Sequence, residues 1–142
     1  MTALQSYIAG RWIGREAAQS LRSAVNGQAI ASTHAEAIDF AEALAHARRV
    51  GIPALMALDF QQRAERLKAL AKYIAANKET LYAVSAHTGA TRADGWVDIE
   101  GGAGTLAAYA GIGSNELPSG NLVHEGPAFP LGKKGGFAGT HI

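Results

Sequence analysis

The 142-residue sequence contains no cysteine, which excludes disulfides, thiolate metal sites and a cysteine nucleophile within these residues. Aromatic residues make up 7% of the chain, charged residues make up 18%, and the net charge is +1. This charge balance gives no support for contact with nucleic acid or with a membrane surface. No apolar run approaches the roughly 20 residues that span a bilayer. We therefore expect a cytoplasmic protein that binds neither nucleic acid nor membrane.

Large side chains that could form a core are also scarce. Alanine supplies much of the 48% apolar content, and 13 of the 17 glycines lie from Gly89 onward. Glycine inside a helix costs roughly 1 kcal/mol relative to alanine, so glycine-rich helices make sense where another surface presses closely on them. The length suffices for one domain. We predict that these residues are a piece of a larger protein.

Residues 1–33 are predicted to form two short hairpins. The first has an Ala9-Gly10 turn between Tyr7-Ile8 and Trp12-Ile13. The second is indicated by Asn26-Gly27, a dipeptide that tolerates positive φ at both turn positions. It would join strands at Ala24-Val25 and Ala29-Ile30.

Apolar residues at helical spacing predict a cluster of helices over residues 34–113. The first helix is expected at about 35 to 49. The second is expected to start at a capping box formed by Asp59 and Gln62 and to reach Ile74. The third and fourth are expected at 79 to 86 and at 96 to 110. Gly51 and Pro53 are expected to end the first helix, and Gly89 the third. The last helix carries Gly101, Gly102 and Gly104 and is expected to stop at 111–113.

Residues 114–142 are predicted to form a long irregular connection followed by a strand at 137–142. Glycine and proline recur through this stretch, and its last residues are strand-like. The whole pattern predicts a helix-rich α+β fold with two short N-terminal hairpins, a helical cluster and a C-terminal strand.

A weak nucleotide-binding pattern lies within the last helix. Gly102, Gly104 and Ala107 match G-x-G-x-x-A, with Glu125 as an acid about 20 residues further on. The fingerprint works only where a buried strand delivers the glycines to a turn. Asp98 and Glu100 would fall in that strand, so we prefer glycines inside a packed helix and assign no cofactor-binding residue.

Acids and histidines give no catalytic or metal site either. Asp94 and Asp98 would share a helix face, but acids in a first turn are explained more simply by the helix dipole. The five histidines lack metal-ligand spacing, and His87, beside the cap at Gly89, is expected to be exposed. The 132–135 segment lacks the residues of a phosphate loop. We assign no catalytic or metal-binding residue.

Several segments together resemble the N-terminal part of the NAD(P)-dependent aldehyde dehydrogenase superfamily. They are Tyr7-Ile8-Ala9-Gly10-Arg11-Trp12, Asn26-Gly27, Arg63-Ala64-x-x-Leu67, Thr88-Gly89 and Leu106-Ala107-Ala108-Tyr109-Ala110-Gly111. Two more specific segments, 87–102 and Gly113-Ser114-Asn115-Glu116-Leu117-Pro118, are similar to the ring-opening enzymes of bacterial phenylacetate degradation. The related semialdehyde dehydrogenases of benzoyl-CoA epoxide catabolism are a close alternative.

The resemblance implies that residues 1–142 are a single truncated N-terminal segment of a dehydrogenase with a partial aldehyde dehydrogenase fold. The parent would oxidise a CoA-linked dehydrosuberyl semialdehyde to the acid with NADP or NAD, and a later hydratase-like domain would open the oxepin-CoA ring. The catalytic cysteine and glutamate, and the cofactor-binding strands, have no matching positions here. The segment itself is therefore expected to be non-catalytic and free of cofactor. Its expected partners are the remainder of the chain and further copies of it in a homo-oligomer.

The resemblance also implies one local role. The helix at 98–109 matches one that borders the substrate entrance in the superfamily. Glu100, Gly101 and Gly102 are our candidates for that entrance, because the glycine pair would widen it for a CoA-linked substrate. The alternative for the pair is tight backbone packing. The competing function for the whole chain is a stand-alone helical interaction module.

Overall fold

The first hairpin forms at the predicted place. In the computed structural model, which describes residues 2–14, 19–33 and 38–141, strands β2 (Ser6–Ile8) and β3 (Arg11–Ile13) pair in antiparallel fashion. Both turn residues have positive φ, +50° at Ala9 and +81° at Gly10, which suits the right-handed twist of a hairpin. The Arg11 guanidinium binds Glu42 at 2.9 Å and so ties the hairpin to the first helix.

The second hairpin also forms, but the predicted strand at Ala24-Val25 is wrong. Its strands are β4 (Gln19–Arg22) and β5 (Ala29–Thr33), and β1 (Thr2–Ala3) adds in parallel to β5. The residues between β4 and β5 form a loop, since the Gly27 N–H donates to the Ser23 carbonyl at 2.8 Å. Gly27 has a φ of +72°, but Asn26 does not adopt a positive φ, so the two-residue turn does not occur.

The first helix starts later and runs further than predicted. Helix α1 (Phe40–His46) begins after Asp39, whose side chain accepts from the Glu42 N–H, whereas the expected start near 35 lies outside the described residues. The helix does not end at Gly51 and Pro53. It passes through one turn of π-helix (Ala47–Gly51), a segment that we call a π-turn, into α2 (Ile52–Met56). Pro53 is the second residue of α2, so the helical path continues through the proline.

Helix α3 (Phe60–Ala76) is confirmed, including its capping box. Asp59 accepts from the Gln62 N–H at 2.7 Å, and the Gln62 side chain accepts from the Asp59 N–H at 3.0 Å. Its buried residues are the alanines Ala64 and Ala71, whereas 48% of Leu70 is exposed.

The helix that closes at Gly89 also matches its prediction. Helix α4 (Lys78–Ser85) is followed by a 3-10 turn (Ala86–Thr88), and Gly89 takes a φ of +88° as expected of a helix end. The predicted exposure of His87 is confirmed.

The glycine-bearing helix is longer than predicted at both ends. Its parts are α5 (Arg92–Trp96), a π-turn (Val97–Gly101) and α6 (Gly102–Asn115). The expected stop at 111–113 is wrong, because Gly113 is buried where α6 packs on α3 and the helix continues past it. The contact of α3 with α6 is the centre of the helical cluster.

Two short antiparallel ribbons replace the predicted C-terminal strand. The outer ribbon pairs β6 (Val123–His124) with β9 (Thr140–His141), and the inner one pairs β7 (Phe129–Pro130) with β8 (Gly136–Phe137). A single strand at 137–142 is therefore wrong over its described residues, and Ile142 lies outside them. The glycines between 132 and 139 allow the chain to reverse within this stretch.

The described residues bury little apolar surface. Tyr82 is the largest side chain among those that the structure shows as buried, and the other apolar ones are alanines. Large apolar side chains stand exposed on the helices and ribbons; they include Leu55, Val84, Trp96, Tyr109, Phe129 and Leu131. Within the described ranges, no helix is both long and apolar enough to cross a membrane.

Candidate functional site

The predicted entrance residues lie where the long helix passes from a π-turn into α6. Glu100 and Gly101 belong to the π-turn, and Gly102 is the first residue of α6. A Cβ placed on Gly101 would meet its nearest neighbour, the Trp96 carbonyl oxygen, at 3.9 Å, and one on Gly102 would meet nothing within 4 Å. Among the described residues, nothing packs closely on either glycine, so this part of the chain leaves the space beside the pair open.

The Glu100 carboxylate is held by two donors from α4. Its Oε1 accepts from Lys78 Nζ at 3.1 Å and from the Tyr82 hydroxyl at 3.0 Å. These two hydrogen bonds lower the pKa of Glu100 from its ordinary value, and the bond from Lys78 has the larger effect. Since 31% of the Glu100 side chain is exposed, the group is half-buried at the edge of α4.

Tyr82 lies between two residues of α5. A Cβ on Gly95 would lie 3.3 Å from the ring, so the ring occupies the space that a side chain at this position would need. On the other side, the Arg92 guanidinium lies 4.2 Å from the ring centroid, in cation–π contact. Burial, together with the hydrogen bond to Glu100, raises the pKa of the Tyr82 hydroxyl. The hydroxyl is therefore a donor at neutral pH.

Arg92 in turn binds Glu79 through two nitrogens. The two N–H···O distances are 2.8 and 3.2 Å, and the hydrogen bonds from Arg92 lower the pKa of the Glu79 carboxyl. This pair is exposed, so it aligns the Arg92 side chain over the ring and adds little stability by itself. We call Lys78, Glu79, Tyr82, Arg92 and Glu100 the Tyr82 network. Sequence reasoning named only Glu100 of these five; the i, i+4 spacing of Lys78 and Tyr82 on α4 is the signal that could have found two more.

The first acid of this helix, Asp94, is a capping residue. Asp94 forms a capping box with Thr91, accepting from the Thr91 hydroxyl at 2.7 Å and from its backbone N–H at 3.2 Å. These bonds lower the pKa of Asp94 and keep it ionised as a helix cap. Asp98 lies one turn on and is exposed. The helix-dipole interpretation of Asp94 is thus the one that the geometry supports.

The structure excludes the nucleotide-binding interpretation of Gly102, Gly104 and Ala107. All three lie on α6, and a helical π-turn precedes them where a buried strand is required. Glu125 is far along the chain, directly after β6, where its carboxylate is hydrogen-bonded to His141. Over the described ranges, no three His, Cys, Asp or Glu side chains are grouped so that they could hold a metal ion.

Two apolar grooves flank α6. One, of about 300 Å³, lies between α3 and α6, and its lining includes Ala71, Ala75, Ile99, Ala103 and the stems of Lys72 and Glu100. The other, of about 590 Å³, lies between α4 and α6 and includes Leu81, Val84, Gly102 and Leu106. Both grooves reach the π-turn. This arrangement can shape an apolar passage, and it contains no cysteine to carry out chemistry.

The chain matches a known family over most of its length. The sequence profile described as the aldehyde dehydrogenase family matches residues 12–126. A 3,4-dehydroadipyl-CoA semialdehyde dehydrogenase from Aromatoleum evansii is 34% identical over 141 residues, which are 98% of this chain and 27% of that protein. The chain thus spans little more than a quarter of the length of this relative.

Proposed function

Because the chain belongs to the aldehyde dehydrogenase family, we propose that it is the opening segment of a longer NAD(P)-dependent enzyme that oxidises a CoA-linked semialdehyde to the acid. One observation carries this proposal: the segment aligns over 98% of its length with a CoA-semialdehyde dehydrogenase and covers only 27% of that protein. The missing cysteine and the small buried core support it, since the reactive thiol and the packing partners would then come from other residues. Such an enzyme would work in the cytoplasm.

Among the described residues, Gly102, Gly104 and Ala107 do not fit a nicotinamide site. The only glycine pattern that suggested one lies on a helix, where the backbone N–H groups of a strand–turn–helix phosphate site are not presented. We therefore assign the cofactor to the rest of the enzyme. The role of this segment is to border the substrate entrance, with Glu100, Gly101 and Gly102 at its edge. The open space beside the glycine pair supports that role.

Our first candidate for the substrate is the eight-carbon dehydrosuberyl-CoA semialdehyde of phenylacetate degradation. It rests on the similarity of residues 87–102 and 113–118 to the ring-opening enzymes of that pathway. The second candidate is a six-carbon CoA semialdehyde, which would make the enzyme one of the related dehydrogenases of benzoyl-CoA epoxide catabolism. It is supported by the 34% identical relative, whose name specifies a six-carbon dehydroadipyl chain. The two candidates differ in acyl chain length.

The test is to express the full-length protein that contains this segment and to follow the reduction of NADP and of NAD. Each cofactor is offered with the eight-carbon CoA semialdehyde, the six-carbon one and a short free aldehyde. We expect oxidation of a CoA semialdehyde at a higher kcat/KM than the free aldehyde. Higher efficiency with six carbons would select the second candidate, and oxidation of the free aldehyde alone would overturn the proposal. A native reading frame that ends at residue 142 would favour the interaction module instead.

We further propose that the full enzyme is a homo-oligomer in which the C-terminal ribbons take part. Within the described part of the chain, the outer ribbon has two strands, and the edges of β6 and β9 that face away from each other are available for pairing. Light scattering of the full-length protein would test this, and a monomer at micromolar concentration would contradict it.

A further inference from the structure

The helix that carries the proposed entrance cannot hold its own shape well. Gly101, Gly102 and Gly104 follow one another closely, and each glycine costs roughly 1 kcal/mol of helix stability relative to alanine. The π-turn just before them adds a wider, less regular turn. The position of the entrance backbone must therefore be set by contacts from outside this stretch.

Two sets of contacts hold the two ends of this stretch. On its C-terminal side, the Thr105 hydroxyl donates to the Gly101 carbonyl at 3.0 Å, within the same helix. On its N-terminal side, Glu100 is held by Lys78 and Tyr82, which belong to a different helix. Of these two sets, the second links the π-turn to a different helix.

We propose that Tyr82 and Lys78 are positioning residues for substrate specificity: by holding Glu100, they fix the π-turn so that Gly101 and Gly102 leave the entrance wide enough for a CoA-linked substrate. This inference rests on the proposed function. Neither residue reaches the reacting atoms, and both act through Glu100. The Tyr82 ring is itself fixed between Gly95 and Arg92, so the hydroxyl has a defined place from which to donate.

The two donors differ in what they contribute. The Tyr82 hydroxyl sits on a rigid ring with 8% exposure and gives direction to the hydrogen bond. The Lys78 side chain is more exposed. Its ammonium attracts the Glu100 carboxylate by charge, but its flexible stem gives the contact little direction. Loss of the hydroxyl should therefore disturb the π-turn more than loss of the ammonium.

The kinetic test uses the full-length enzyme with Tyr82→Phe, which removes one oxygen and keeps the ring. We expect KM for the CoA semialdehyde to rise on the order of ten-fold, with kcat and the kinetics of a short free aldehyde unchanged. Lys78→Met should give a smaller rise in the same direction. Tyr73→Phe, at a tyrosine of α3 that is 68% exposed, is the matched control and should behave as wild type.

A second measurement does not depend on substrate. Hydrogen exchange of the amides at 97–102 should be faster in Tyr82→Phe than in Tyr73→Phe, while exchange in α3 stays the same. Equal loss of activity towards both aldehydes, or a lower melting temperature with unchanged KM and unchanged exchange, would overturn the positioning role. If the wild-type enzyme oxidises no CoA semialdehyde, the proposed function fails. Faster exchange in Tyr82→Phe would then show that the tyrosine holds the turn but does not serve specificity.

Discussion

Helix α6 crosses α3 at a point where Gly113 faces Ala64. A Cβ on Gly113 would lie 3.0 Å from the Ala64 Cβ and 3.4 Å from the Phe60 carbonyl oxygen. Such close approach of two helix backbones requires small residues on both sides. Gly113 thus stabilises the pair of helices by its lack of a side chain, although a glycine at that position in the sequence resembles a helix stop.

We expect Gly113→Val to destabilise the 142-residue chain by about 1 to 3 kcal/mol, because the added atoms must push the two helices apart. The matched control is Gly111→Ala two residues earlier on α6, where a Cβ would meet nothing within 4 Å. That change should raise stability by up to ~1 kcal/mol through helix propensity. Urea midpoints of the two variants decide the matter. Equal midpoints would mean that α6 does not pack on α3 in this way.

The sequence predicted the local elements that depend on short-range signals. The Ala9-Gly10 hairpin, the capping box of α3 and the end of α4 at Gly89 were all predicted from neighbouring residues and are confirmed. The errors came at glycine and proline residues that resemble helix stops but lie within a continuing helical path. At Gly51 and Pro53 a π-turn lets the chain continue, and at Gly113 the packing of α3 does the same.

The candidate site, too, was predicted only where residues close together in the sequence carry the signal. The open space beside Gly101 and Gly102 agrees with an entrance role predicted by resemblance, yet the entrance itself stays a prediction. The Tyr82 network was missed because its members lie far apart in the sequence. Glu100 is 22 residues from Lys78 and 18 residues from Tyr82, and it belongs to a different helix. Spacing within one helix says nothing about which partner helix will face it. Only the packing of α4 against the π-turn brings these side chains together.

Ala9 is strained in the first hairpin. Its φ of +50° lies in the left-handed region, which costs a residue with a Cβ about 1 kcal/mol and favours asparagine or glycine. We expect Ala9→Asn to raise the melting temperature and Ala9→Val to lower it. In a Trp96→Phe background, Trp12 fluorescence reports the hairpin, since Tyr7 and Trp12 pack edge to face at 5.1 Å. A lower melting temperature for Ala9→Asn would contradict the turn geometry.

The stability of the chain should fall in acid partly through Glu100. Its pKa is lowered in the folded state by the hydrogen bonds from Lys78 and Tyr82, so its stabilising effect is present above the ordinary carboxyl pKa of about 4.3. The effect is lost as the pH falls through the lowered pKa, when the proton displaces these bonds. We therefore expect the urea midpoint of Glu100→Gln to vary less with pH below about pH 5 than that of wild type.

Glu65→Gln is the control for the loss of one carboxylate, because Glu65 is exposed on α3. Its midpoint should keep the acid dependence of the wild-type chain. A Glu100→Gln curve parallel to that of wild type down to pH 3 would show that the carboxylate is not held by Lys78 and Tyr82 in solution.

The entrance role can be separated from folding because the glycine pair has helical backbone angles. Gly101 has a φ of −63° and Gly102 a φ of −60°, and neither has a close neighbour in the way of a side chain. In the full-length enzyme, Gly102→Leu should therefore fold normally, with a melting temperature equal to wild type or higher.

The leucine would project into the open space beside the π-turn. KM for the CoA semialdehyde should then rise on the order of ten-fold while that for a short free aldehyde stays constant. Gly102→Ala, with the same gain in helix propensity and little bulk, should lie close to wild type. A leucine variant that keeps the KM of wild type for the CoA semialdehyde would remove Gly102 from the entrance.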